Sequence, residues 1–155
     1  MKEYRKLSGE EVARLKAQMC TAADWERIEV SADFSAEHVM YTRFSGNVRI
    51  GAFRKEFCLP GGMKKHSGLY HATLHNVVVG DDCCIENVKN YIANYEIGDG
   101  TFIENVDILL TDGPSSFGNG VEVSVMNETG GREVVIFDRL SAQTAYIMAL
   151  YRHRP

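Results

Sequence analysis

VGDDCCIENV, residues 79–88, is followed eighteen positions later by IGDGTFIENV, residues 97–106. Six of the ten aligned positions are identical, and Val79/Ile97 is a conservative pair. The register extends outward: Leu74, Ile92 and Leu110 share one phase, and Asn76, Asn94 and Asp112 share another. Aliphatics recur every six residues at Val79, Ile85, Ile97, Ile103 and Leu109, and Tyr91 fills the remaining slot. A period of six nested in eighteen describes a coil of three short strands, each followed by a turn, with equal phases stacking on successive coils. The aliphatic points into a triangular prism. The Gly or Asp behind it turns the corner, where the backbone needs angles that few residues adopt. Cys83 and Thr101, four residues after the aliphatic, are small enough for the narrow interior. A β-sandwich with Gly-Asp turns does not require such an echo, so the expected fold is all-β, a parallel β-helix of a few coils.

Outward from the echo the pattern loosens. NVRIG at residues 47–51 reads as an early coil, but Ile50-Gly51 lies 29 residues before Val79-Gly80, which is not a multiple of six. A loop insertion near residues 54–68, centred on FCLPGGMKKHS, is expected to break the register. Ser8 and Glu11 form a capping box for a helix to about Cys20, with Val12, Leu15 and Met19 on one face. Residues 27–30 and 39–44 read as strands. Residues 1–45 are therefore expected as an N-terminal cap and 46–126 as the β-helix. Beyond Leu110 glycines crowd, residues 121–125 alternate, a turn at 129–131 follows, and 133–137 returns as a strand. Ser141 caps a helix to Tyr151, so 127–155 reads as a hairpin and a second capping helix. The chain stops soon after that helix, at RHRP, an ending compatible with a fragment of a longer protein.

The chain has 155 residues, 45% hydrophobic and 25% charged, with a net charge of −4. This fits one domain with its own core and excludes a disordered or collagen-like chain. No apolar run approaches the roughly 20 residues of a membrane span, and the first residues lack a signal-peptide core. A mildly acidic balance without a basic block argues against a nucleic-acid partner. Cys20, Cys58, Cys83 and Cys84 form no C-x-x-C pair. Reduced thiols in a cytoplasmic protein are the expectation, with Cys83 and Cys84 as wall residues rather than metal ligands.

The segment from about Leu69 to Val125, and the string at residues 97–106 above all, resembles the β-helices of hexapeptide-repeat acyltransferases and sugar-nucleotide pyrophosphorylases. The resemblance implies a left-handed coil, an exception to the usual crossover rule, and a homo-oligomer, a trimer above all. The strings VSVMNETGGR (123–132) and LSAQTAY (140–146) resemble a bacterial hexapeptide-repeat family of unknown function, loosely related to UDP-N-acetylglucosamine pyrophosphorylase. That likeness implies a module for assembly, or for binding a sugar nucleotide or sugar phosphate, without a complete active site and without a cofactor. The pyrophosphorylases carry a Gly-rich nucleotide loop in a Rossmann-like domain before the β-helix, and nothing before residue 47 supplies one. GGMKK at 61–65 lacks the preceding βαβ unit and reads as a surface loop.

The alternative is an acyltransferase that uses acetyl coenzyme A. In the resembling enzymes a histidine deprotonates the attacking hydroxyl or amine, a task suited to imidazole. His71 and His75 are the candidates, with His66 on the adjoining loop; as wall residues they would simply be hydrogen-bonded or exposed. A third reading, a metal-dependent hydratase, draws on the spacing of His66 and His71, similar to the histidine pair of carbonic anhydrases on this helix. His38 does not match the upstream ligand, and His71 and His75 in one strand would stand about 13 Å apart, too far to share zinc. No metal is expected. Asn76, Asn94 and Asp112 form a ladder at one phase, and Asn87 and Asn105 at another. Stacked amides at turns are structural first, since they tolerate left-handed angles. An exposed row of Asn76, Asn94 and Asp112 would also hold sugar hydroxyls. Asn127, Glu128 and Arg132 flank the glycine turn, where they meet a ligand or pair with one another. Tyr91, Tyr95, Phe102 and Phe117 sit at or beside corners, as expected for subunit packing.

Overall fold

A computed structural model describes residues 3–116, 118–124 and 133–151. Parallel strands run along three ladders. On the first lie Thr21–Ala22, Arg43–Ser45, residues 73–75, residues 91–93 and Ile108–Leu110. On the second lie Ile28–Ser31, Val48–Ile50, residues 77–79 and residues 95–97, with Tyr4–Lys6 antiparallel at the edge. On the third lie Val39–Met40, Gly68–Tyr70, Cys84–Glu86 and Phe102–Glu104. A chain that visits three ladders in rotation is a β-solenoid, here of about five turns.

Each ladder sends one row of side chains inward. Phe44, Leu74, Ile92 and Leu109 stack on the first, and Val39, Leu69, Ile85 and Ile103 on the third. Leu69, Leu74, Ile85 and Ile92 are fully buried. Cys83 is buried as expected, its thiol 3.1 Å from the Gly98 carbonyl. The corners are turned by left-handed residues, Asn76 and Asn94 (φ 51° and 54°), Asn87 and Asn105 (52° and 57°), and Asp82 and Gly100 (55° and 69°). The Gly-Asp step works differently from the sequence expectation. Gly80 is not left-handed; it is glycine because the next coil presses against it. A Cβ there would lie 2.5 Å from Asp99 Oδ1 and 2.7 Å from the Asp99 nitrogen. That carboxylate accepts from the Asp81 amide at 2.7 Å, and Asp81 in turn accepts from the Ala52 amide at 2.9 Å. The motif is a carboxylate cap that ties each coil to the next.

Two registers depart from the eighteen-residue period, the first through the insertion expected near residues 54–68. Val79 stands opposite Ile50, 29 positions back. The excursion is the antiparallel hairpin of Glu56–Cys58 and Lys64–His66. Its neck is closed by Ser67 N donating to Lys55 O at 2.7 Å, so residues 56–66 remove eleven positions and restore eighteen. Above, Tyr91 stands opposite Ile108, and Ile92 opposite Leu109 rather than Leu110. The coil above thus reaches this ladder in seventeen residues. Leu110 therefore leaves the expected phase, and Asn94 Nδ2 donates to the Thr111 carbonyl at 3.1 Å instead of meeting Asp112. Parallel pairing also begins at Thr21, well before residue 46.

Ser8 Oγ accepts from the Glu11 amide at 3.2 Å and the Glu11 carboxylate accepts from the Ser8 amide at 2.8 Å, so the capping box forms as read. The helix Gly9–Ala17 buries Leu15, but ends at Gln18 with Met19 left-handed and exposed (φ 62°). Met19 therefore leaves the apolar face, and Cys20 is buried after it. Arg5 clamps Glu11 at 2.7 and 2.8 Å, and this guanidinium holds the carboxyl down at about 2. Because that folded-state value lies below the ordinary one, the stabilisation is present above about pH 4.5 and is lost as pH falls toward 2. Glu11→Ala is expected to cost about 1–2 kcal/mol at neutral pH. In urea unfolding the gap from the parent should close between pH 5 and pH 2.

The chain divides into two units, residues 1–111 and 112–155. In the second, Glu122–Ser124 pairs antiparallel with Glu133–Val135, burying Val134. Ser141 Oγ accepts from the Thr144 amide at 3.1 Å at the start of the helix Ala142–Tyr151. Phe117, the turn at 129–131 and Asn127, Glu128 and Arg132 lie outside the described residues. Among the described residues no helix is long and apolar enough to cross a membrane.

Candidate functional site: a cationic groove beside an amide ladder

Alternation places Arg49 on the outside of the second ladder, since Val48 and Ile50 fill the prism. Tyr4–Lys6 adds Lys6 at the same edge, and the turn Trp25–Arg27 adds Arg27. With Glu29, Asn47 and Asn76 they line a groove of about 550 Å3. Glu29 receives Arg49 at 2.9 Å and Lys6 at 3.4 Å, and the Arg49 hydrogen bond holds its carboxyl below the usual carboxylate range. Lys6 also donates to the Glu26 carbonyl at 2.5 Å. Among the described residues no ion pair or hydrogen bond engages the Arg27 guanidinium. Three cations face the Glu26 and Glu29 carboxylates, so the groove carries one excess positive charge in a chain of net charge −4. Such a surface attracts an anion; a guanidinium suits phosphate, which it meets through two parallel N–H groups.

The amide ladder runs along one corner of this groove. Asn76 Oδ1 accepts from the Asn47 amide at 2.9 Å, and Asn76 Nδ2 donates to Asn94 Oδ1 at 3.3 Å. Asn76 and Asn94 are exposed, so their outer edges reach solvent while the stack serves the corner. Below them Gly46 is left-handed (φ 64°), and any Cβ there would strike Asn76 Oδ1. By register Thr111, not Asp112, takes the position above Asn94.

His75 Nδ1 lies 2.9 Å from Ser45 Oγ, and Nε2 lies 3.1 Å from Asn76 Nδ2. An amide nitrogen only donates, so Nε2 is the acceptor and Nδ1 carries the proton toward Ser45. His75 is thus a strut between coils, its basic nitrogen already engaged. His71, left-handed at φ 53°, stacks on Tyr41 with ring centres 4.5 Å apart. His66 stacks on His38 at 3.6 Å. The structure therefore pairs each of His66 and His71 with another ring. Among the described residues no three His, Cys, Asp or Glu groups gather to hold a metal ion.

Lys6, Arg27 and Arg49 were not legible as a site from the repeat, since they come from an edge strand, a turn and an irregular early coil. The V-R-I alternation at residues 48–50 is the one local signal that turns Arg49 outward.

A family model matches residues 4–155. The chain belongs to the family described as Domain of unknown function (DUF4954). This DUF4954 chain is also similar to an uncharacterized protein of Treponema pallidum (strain Nichols), 28% identical over 162 residues. The match covers 97% of this chain and 22% of that protein, so the chain spans about a fifth of the curated relative's length. No solved structure matches. The expected kinship with a family of unknown function stands at that level for DUF4954.

Proposed function

We propose that this chain is a left-handed β-helix module of the hexapeptide-repeat type, closed at its ends by helices, that binds a sugar phosphate or sugar nucleotide without a complete active site of its own. The observation that carries the reading is the groove of Lys6, Arg27 and Arg49 beside exposed Asn76. The guanidinium groups take the phosphate, and amide edges suit sugar hydroxyls. The wider reading, a part of a pyrophosphorylase-like protein, rests on the resemblance of residues 97–106 and 123–132. Self-association, a homotrimer first, is supported by Ile108 and Leu110, which remain 48% and 44% exposed on the first ladder. A cytoplasmic setting belongs to the same proposal, in keeping with free thiols at all four cysteines.

Calorimetric titration tests the binding claim. UDP-N-acetylglucosamine and N-acetylglucosamine 1-phosphate should bind, uncharged N-acetylglucosamine should not, and Arg27→Ala should weaken the phosphate-bearing ligands at least about tenfold. Equal behaviour of charged and uncharged sugars, or no heat from any of them, refutes it. The acyltransferase reading stands second because Nε2 of His75 faces Asn76; binding of acetyl coenzyme A that is lost in His71→Ala or His75→Ala would put it first. Stoichiometric zinc in the purified protein would raise the hydratase reading.

A further inference from the structure

The hairpin 56–66 lies against the outer side of the third ladder. Three contacts hold it: Lys65 Nζ to Glu86 at 2.7 Å and Glu104 at 3.6 Å, Phe57 edge-on to Phe102 at 5.2 Å, and His66 stacked on His38 at 3.6 Å and 17°. Cys84 sits beneath. Ile85 points into the prism, so strand alternation turns Cys84 outward, yet it has no exposed surface. Its ladder neighbours are Gly68, over which the Tyr70 ring of the same strand lies, and Phe102, which Phe57 and Lys65 of the hairpin cover. Burial, then Glu86, push its thiol up to about 11.

We propose that the His38–His66 stack is an acid-sensitive clasp, whose protonation releases the hairpin and uncovers Cys84 and the outer side of the third ladder. His66 Nδ1 lies 2.7 Å from the Ser67 carbonyl, so this nitrogen carries the proton and the next one to bind makes the ring a cation. A cation face to face with a second imidazole at this distance opposes protonation of that partner. The charged groups around the clasp are few. Arg14 of the N-terminal helix and Glu37 face His38, with opposite effects. Glu56 is the cross-strand partner of His66 and is itself paired with Lys64 at 3.2 Å. Lys65 is held by Glu86 and Glu104. Burial first, and then the neighbouring His66, hold the His38 imidazole below its ordinary 6.5.

The sign follows from that direction. At neutral pH the docked hairpin is favoured, because docking holds the His38 imidazole below its ordinary value. As pH falls, the released state takes up protons more readily than the docked one, so the balance moves toward release. The inference is independent of the groove on the second ladder.

The full chain supplies its own probes for 4,4′-dithiodipyridine, which reacts with thiols in acid. Cys58 is exposed on the hairpin, Cys84 lies beneath it, and Cys83 lies inside the prism. With rates assigned by peptide mass mapping, the Cys84/Cys58 ratio should rise about tenfold between pH 7.5 and 5.5, while Cys83 stays protected. In His38→Phe, which keeps a ring but no titrating group, the ratio should stay flat. His66→Gln should give the same flat profile, so the test does not hang on one variant. A ratio independent of pH in the parent, an undiminished rise in both variants, or Cys83 reacting in step with Cys84 overturns the proposal.

Discussion

Leu74→Ala is expected to lower stability by about 3–5 kcal/mol, the upper part of the range for a buried leucine. Leu74 has no exposed surface and stands between Phe44 below and Ile92 above, all pointing into the prism. A cavity costs least where its walls can close. Here the walls hang on strands whose spacing is fixed by hydrogen bonds at about 4.8 Å, so the coils cannot settle into the gap. Urea unfolding should show a lower midpoint with an unchanged slope. Leu110→Ala, two coils higher on the same ladder but opposite Ala93 and 44% exposed, should cost less than about 1 kcal/mol.

Gly80→Ala and Gly98→Ala are expected to behave oppositely, although the two glycines occupy the same place in the echo. At Gly80 a new Cβ meets the backbone and carboxylate of Asp99, and neither can move without loosening the cap on Asp81. A loss of about 2–3 kcal/mol follows from that overpacking and the strained cap. At Gly98 no heavy atom lies within 4 Å, and its backbone is not left-handed. Gly98→Ala should therefore change stability by less than about 0.5 kcal/mol, or raise it slightly by restricting the unfolded chain. Equal losses at both positions in parallel thermal melts would mean that the glycines serve turn geometry, as their place in the repeat suggests, and not close approach.

The upper coils were legible because two of them repeat with little change. Residues 79–88 and 97–106 stack in register at Val79/Ile97, Cys84/Phe102 and Ile85/Ile103, as the echo implies. The lower coils were not, since Thr21 pairs with Arg43 at a distance of 22 residues and Ile28 with Val48 at 20. A coil that varies in length keeps its inward side chains but loses its period. The seventeen-residue step at Ile108 was hidden for a related reason: Leu109 and Leu110 are both aliphatic, so either fits the inward phase. The amides at Asn76, Asn94, Asn87 and Asn105 announced their left-handed corners, because few other residues accept that backbone. The groove was beyond reach. Its cations converge from three separate segments through strand pairing, and charge spacing along the chain carries no trace of that.

The most direct test of the account is to map, by amide chemical shifts, where N-acetylglucosamine 1-phosphate touches the labelled protein. The account predicts that the largest shifts fall on Arg27, Asn47, Arg49, Asn76 and Val78, which line the groove on the second ladder. At a fixed ligand concentration they should shrink in Arg27→Ala and as salt is raised. Shifts centred on His71 and Tyr41, or an unchanged spectrum at saturating ligand, would contradict it.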